Sequence, residues 1–185
     1  MTEKVRFKCV RCGNCCRDET FIITITHKDV IRLADHLKCN LKDLLSKYIS
    51  FYQVRKELEN RLVFPAILTY RGNAFLGLRK KNNGSCVFLR EDNLCEIYAA
   101  RPMVCRSFPF TFSVKDGWLS WGLMVKAEEI CPGLGQGETF SKESLESMAK
   151  EVIGELEEYK KIVSIWNSHA RVEQLDPILL LATFF

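Results

Sequence analysis

The sequence predicts an α+β fold: a cysteine-rich body of short antiparallel strands and helices, followed by one long C-terminal helix. Three observations carry that expectation. Cysteines gather at Cys9, Cys12, Cys15 and Cys16 and return at Cys86, Cys95, Cys105 and Cys131. Between them, short apolar or alternating runs are broken by Gly, Asn and Asp, the residues of tight turns. From Ser141 onward, Leu145, Met148, Val152, Leu156, Tyr159, Val163 and Trp166 recur at three- and four-residue steps, one stripe of a long helix.

Each element has its own signal. Residues 21–26 alternate like a short strand, and Thr26 or His27 is placed to cap a helix running through His36, with Val30, Ile31, Leu33 and Leu37 as its buried stripe. A second helix is expected over residues 41–52. Residues 62–70 and 74–79 read as a hairpin about Arg71-Gly72-Asn73, and residues 110–114 pair with 118–125 across Lys115-Asp116-Gly117. Residues 86–89 and 94–98 form a third candidate hairpin, across Arg90-Glu91-Asp92-Asn93, which would bring Cys86 near Cys95. The expected division is a cysteine-cluster body over residues 1–138 and a helical extension over 139–185 packed on it. A chain of 185 residues, 47% of them hydrophobic, is long enough for one such body with a real core.

Composition excludes several classes. The formal charge of +4 comes from 27 basic and 23 acidic residues scattered along the chain, so a nucleic-acid partner is not expected. Residues 1–8 run into Cys9 without an apolar stretch that could serve as a signal peptide, which points to the cytoplasm. The longest apolar run, residues 178–185, falls far short of the roughly 20 residues that span a bilayer. That run is expected to pack on the body, with contact to another protein through the C-terminal helix as the alternative.

In a reducing compartment, nine cysteines point to metal ligation rather than to disulfides. In C-x-x-C-x-x-C-C the two-residue gaps let a turn bring successive sulfurs round to one point, and Gly13 and Asn14 tolerate the left-handed backbone such a knuckle needs. Cys15 and Cys16 are neighbours whose side chains tend to diverge, so Cys16 is expected to start a second site. In two-cluster ferredoxins the fourth cysteine of such a run also serves the other cluster. Four plus four cysteines then make two four-thiolate sites, and Cys39 stands outside. Each zinc or common four-iron site would carry a charge of about −2, offsetting the formal +4. Lys8, Arg11, Arg17, Arg90, Arg101 and Arg106 lie near cysteines, with Arg101 and Arg106 the chosen charge partners. Phe108, Pro109 and Phe110 are expected to shield a centre from water.

The order Cys9 to Cys16, Cys86, Cys95-Glu96-Ile97-Tyr98, Arg101-Pro102, Cys105-Arg106, Phe108-Pro109 and Cys131-Pro132-Gly133 resembles the CxxCxxCC cysteine-cluster family, the YkgJ-like zinc- or iron-chelating domain, over about residues 5–138. The resemblance implies metal chelation, with iron–sulfur oxidoreductase as one activity attached to the family. A related domain in flagellin lysine methylases adds protein methylation as a further alternative. Cys39 has no counterpart in that pattern.

Four thiolates suit both zinc and iron–sulfur clusters. Zinc sites usually pair two close couples of ligands, whereas the later cysteines here are single and separated by eight, nine and 25 residues. Iron–sulfur, as one or two four-iron clusters, is therefore the first reading and zinc the alternative. Under the first the protein transfers electrons or serves a modifying enzyme, with an unspecified redox partner or protein substrate. Under the second it is a structural or interaction module. No catalytic residue is assigned. The string Gly133-Leu134-Gly135-Gln136-Gly137 follows no buried strand and is expected to be a turn beside Cys131 rather than a nucleotide loop. His27, His36 and His169 lie away from the cysteines and are expected to be caps or surface groups.

Overall fold

A computed structural model describes residues 5–54, 63–115, 117–173 and 177–182. After a two-residue strand β1 (Arg6–Phe7) and a single helical turn α1 (Asn14–Arg17), the chain enters helix α2 (His27–Leu37). Thr26 caps α2 reciprocally: its side chain accepts the Asp29 N–H, and the Asp29 carboxylate accepts the Thr26 N–H. Val30, Leu33 and Ala34 are fully buried, and Ile31 and Leu37 are half-buried.

Helix α3 (Leu41–Lys47) is capped by Asn40 and stops five residues earlier than its sequence predicts. The chain continues as strand β2 (Ile49–Gln53), which pairs antiparallel with β4 (Gly72–Leu78), Ile49 opposite Leu78 and Gln53 opposite Ala74. The pattern of residues 49–53 suits either state, and an available partner strand decides it. Strand β3 (Ile67–Thr69) folds back on β4 with Thr69 opposite Gly72, so the turn is Tyr70-Arg71. The start of the predicted strand, Leu62, lies outside the described residues. Residues 21–26 form no full strand. Thr24 bridges Gly77, and the Ile25 N–H to Leu76 O (3.0 Å) and Leu78 N–H to Ile23 O (2.9 Å) bonds continue the sheet order β2-β4-β3 along the free end of β4.

Residues 86–98 reverse direction as expected, but through turns joined by lone bridges, Lys80 to Cys86 and Leu89 to Cys95, and not through two strands. A 3₁₀ turn (Tyr98–Ala100) and helix α4 (Met103–Ser107) follow. Strands β5 (Phe110–Lys115) and β6 (Trp118–Leu123) form the expected hairpin. Helix α5 (Val125–Ile130) leads to strand β7 (Leu134–Thr139), which pairs with β1 and so closes the N-terminus onto the later cysteines. The glycine string is thus a turn at Gly133 continuing into a strand.

Helix α6 (Lys142–Glu173) lies along the body, with Leu145, Leu156, Tyr159, Val163 and Trp166 of its predicted stripe buried. It satisfies the outer edge of β3: Trp166 Nε1 donates to Leu68 O (3.1 Å), and the Asn167 amide accepts the Leu68 N–H (2.7 Å) and donates to Ala66 O (2.9 Å). Short helix α7 (Pro177–Ala182) places Leu180 and Leu181 in the same core as Ile25, Leu33, Leu76 and Tyr159. Among the described residues no helix is long and apolar enough to cross a membrane.

Candidate metal centre

Cys9 and Cys12 lie in the loop after β1, which turns through left-handed backbone at Arg11 (φ 56°) and Gly13 (φ 76°). A side chain at Gly13 would also meet Asn93 O at 3.0 Å and Leu89 Cδ1 at 3.1 Å, so glycine lets the turn between Cys86 and Cys95 press against the knuckle. Cys15 and Cys16 follow on α1, and the Cys86 N–H donates to Cys16 O (2.7 Å), joining the first half of the constellation to the second. The Asn14 amide donates to Ile130 O (2.8 Å), fixing α1 to the end of α5 and so to Cys131. On the other side of Cys131, the Lys8 N–H donates to Gly133 O (3.1 Å), and a Cβ at Gly133 would sit 2.3 Å from Lys8 O. Cys105 rides on α4, whose first turn is held by the buried Asp29 carboxylate accepting the Met103 N–H (2.9 Å).

These separate devices bring all eight candidate ligands, Cys9, Cys12, Cys15, Cys16, Cys86, Cys95, Cys105 and Cys131, to the wall of one cavity of about 80 Å³. Cys15 and Cys16 do not diverge. Their sulfurs are 4.0 Å apart, and both face this cavity. Among the described residues no three or more Cys, His, Asp or Glu side chains stand ready to hold a metal ion. The eight thiols ring a cavity, and Cys39 packs elsewhere, against the hydrophobic core.

The remaining wall is largely apolar, with Phe88, Ile97, Phe108 and Ile130, and carries two cations, Arg11 and Arg101. Their guanidinium groups stack on the Tyr98 ring, 4.0 and 3.8 Å from its centre. Arg101 Nε also donates to Tyr98 O (3.0 Å), which fixes the positive charge beside the sulfurs. Arg106 goes elsewhere. It turns to α6, pairing with Glu151 (2.6 Å) and Glu155 (3.7 Å), and does not line the cavity. Of the predicted shield, Phe108 lines the cavity, while Phe110 belongs to a neighbouring one.

In the absence of a cation, the neutral form is favoured at Cys15, Cys86, Cys95, Cys105 and Cys131. Its hydrogen bond with Cys16, and then burial, push the Cys15 thiol up. Burial alone leads the upward shifts of Cys86, Cys95 and Cys131. Cys105 lies well above the usual thiol range, from burial and then from the neighbouring Cys86. A cation entering such a pocket reverses this logic, stabilising thiolates and releasing protons. The donor set therefore fits a thiophilic metal centre: many sulfurs, a largely apolar wall, and fixed positive charge to balance thiolates.

Sequence reading did not reveal the buried charge network behind α4. Thr26 Oγ1 donates to Glu155, Arg32 pairs with Asp29 and, at 3.6 Å, with Glu155, and Arg106 closes the set. Asp29 and Glu155 are 0% and 4% exposed, and burial, then the Glu155 charge, push Asp29 up to about 6. The three histidines lie away from the cavity: His27 stacks on Tyr159, and His169 Nδ1 meets Ile165 O at 2.8 Å.

Residues 8–132 match the model of the CxxCxxCC family, described as "Putative zinc- or iron-chelating domain". An uncharacterized protein of Methanocaldococcus jannaschii is 27% identical over 135 residues, 72% of this chain and 61% of its own length. The chain thus spans less than two thirds of that relative. No solved structure matches it.

Proposed function

Because the chain belongs to the CxxCxxCC zinc- or iron-chelating family, we propose that its cysteine cavity holds iron as an iron–sulfur cluster of the four-iron type and that the protein transfers electrons. The observation that carries this reading is the ring of eight thiols about one cavity. A single zinc needs four ligands at one point, whereas a ring of thiols about a shared space suits a centre of several atoms, or two adjoining centres. Cys9, Cys12, Cys15, Cys16, Cys86, Cys95, Cys105 and Cys131 are the proposed ligand pool.

When bound, the cluster supplies a one-electron couple whose potential depends on charge, hydrogen bonding and exposure to water. The chain's own residues act on those three levers. Arg11 and Arg101 place fixed positive charge at the wall, Phe88, Ile97 and Phe108 exclude water, and exposed Cys9 leaves one side open to an electron partner. Thiolate ligation of a metal suits a reducing compartment, and the cytoplasm is the proposed location. The zinc reading rests on the family description, which names both metals. Anaerobic potentiometric titration followed by electron paramagnetic resonance separates the two. A reversible one-electron signal supports electron transfer, and a metal-loaded protein silent at every potential refutes it.

A further inference from the structure

A second cavity of about 320 Å³ shares a wall with the cysteine cavity, the common residues being Cys15, Cys16, Ile23, Cys105 and Phe108. Its character differs from that of its neighbour. Phe21, Ile23, Phe64, Met103, Phe112 and Leu156 are typical of the lining, and among the described residues no Asp, Glu, Lys, Arg or His faces it. The few polar groups are hydroxyls and the shared thiols, with Thr24, Ser107 and Thr111 the hydroxyl carriers. Its walls come from helix α1, the segment bridging β4, the chain before β3, helix α4, strand β5 and helix α6. Small-molecule sites are concave, roughly 300–1,000 Å³, mainly apolar and aromatic, and marked by a few convergent polar groups.

We propose that this cavity binds an uncharged, flat, largely apolar organic molecule, and that Cys16 and Cys105 form the partition between that molecule and the metal centre. The apolar and aromatic character of the described lining disfavours nucleotides, phosphates and acidic peptides, because burying their charge without a partner is costly. The volume lies at the lower end of the small-molecule range and suits a molecule of one or two fused rings rather than a helix. The aromatic and Met side chains favour a flat π-system, which they can stack against or touch through sulfur. A ligand so placed lies one side chain from the cluster, so the inference names a substrate class for the proposed redox centre and rests on that reading for its meaning.

The test uses the full-length, metal-loaded protein and the uncharged fluorophore N-phenyl-1-naphthylamine. Saturable one-to-one binding with enhanced emission is expected. Val152→Glu, on the α6 wall, and Ile22→Lys, at the 37% exposed rim, should each weaken it by about tenfold or more while metal per chain stays at the wild-type value. Because Ile22 is partly exposed, its variant carries the test should Val152→Glu fail to fold. No saturable binding to the loaded wild-type protein, or equal binding by the folded variants, overturns the proposal. Metal analysis of the same wild-type sample reports separately on the cluster reading: a chain that binds the fluorophore but carries no metal refutes the metal centre and leaves the apolar site standing.

Discussion

Replacing Gly133 by alanine attacks the joint that holds the first cysteine run against the last cysteine. The added Cβ would stand 2.3 Å from Lys8 O and 3.2 Å from Lys8 C, both backbone atoms with no flexible end to swing away. Relief requires the segment carrying Lys8 to move outward by about 1 Å, which breaks the Lys8 N–H to Gly133 O bond and draws Cys9 away from the cavity. Overpacking of this kind costs about 1–3 kcal/mol and the lost hydrogen bond about 1 kcal/mol more, so a total of about 2–4 kcal/mol is expected. Gly135→Ala is the matched control. Its φ of +78° strains an alanine by about 1–2 kcal/mol, yet nothing lies within 4 Å of the new Cβ. Urea unfolding and metal analysis should show Gly133→Ala as the less stable variant, by about 1 M in midpoint, and the only one of the two that loses metal. Equal stability with full metal content in both would refute the claim that this close approach assembles the site.

Cys12→Ser and Cys105→Ser should each lower metal per chain and the unfolding midpoint, because metal binding is partly folding free energy, whereas Cys39→Ser should change neither. Asp29 gives a pH dependence. Its folded pKa of about 6 lies above the ordinary value of 3.8, so the stability it contributes is full below about pH 4 and lost as pH rises through 6. Asp29→Asn keeps an acceptor for the Met103 N–H and should remove that dependence, which amounts to on the order of 3 kcal/mol in urea midpoints compared between pH 4 and 7. Arg101→Gln should lower the potential of the proposed cluster, since reduction adds negative charge that the guanidinium offsets, while Arg106→Gln should leave the potential unchanged, as Arg106 faces α6. Potentiometric titration of both variants checks the contrast.

The gathering of the eight cysteines was legible in their type and spacing, and both halves converge on one cavity although about 70 residues separate Cys16 from Cys86. The α6 stripe was legible because its period persists over many turns. The end of α3 was not, because residues 49–53 choose strand over helix only when β4 is beside them. Arg101 and Arg106 look equivalent in sequence, five positions apart and each close to a cysteine. Stacking on Tyr98 directs one to the cavity, and the carboxylates of α6 draw the other away. The burial of Asp29 and Glu155 was not legible, since nothing local marks a carboxylate that tertiary packing will bury. The apolar cavity is likewise the product of segments distant in sequence.

Iron, zinc and acid-labile sulfide per chain, with a visible spectrum, on protein purified without oxygen and without added metal, test the central claim most directly. A brown protein with about four or eight irons and matching sulfide is the expected result. A colourless protein carrying one or two zinc ions, without sulfide, would contradict it.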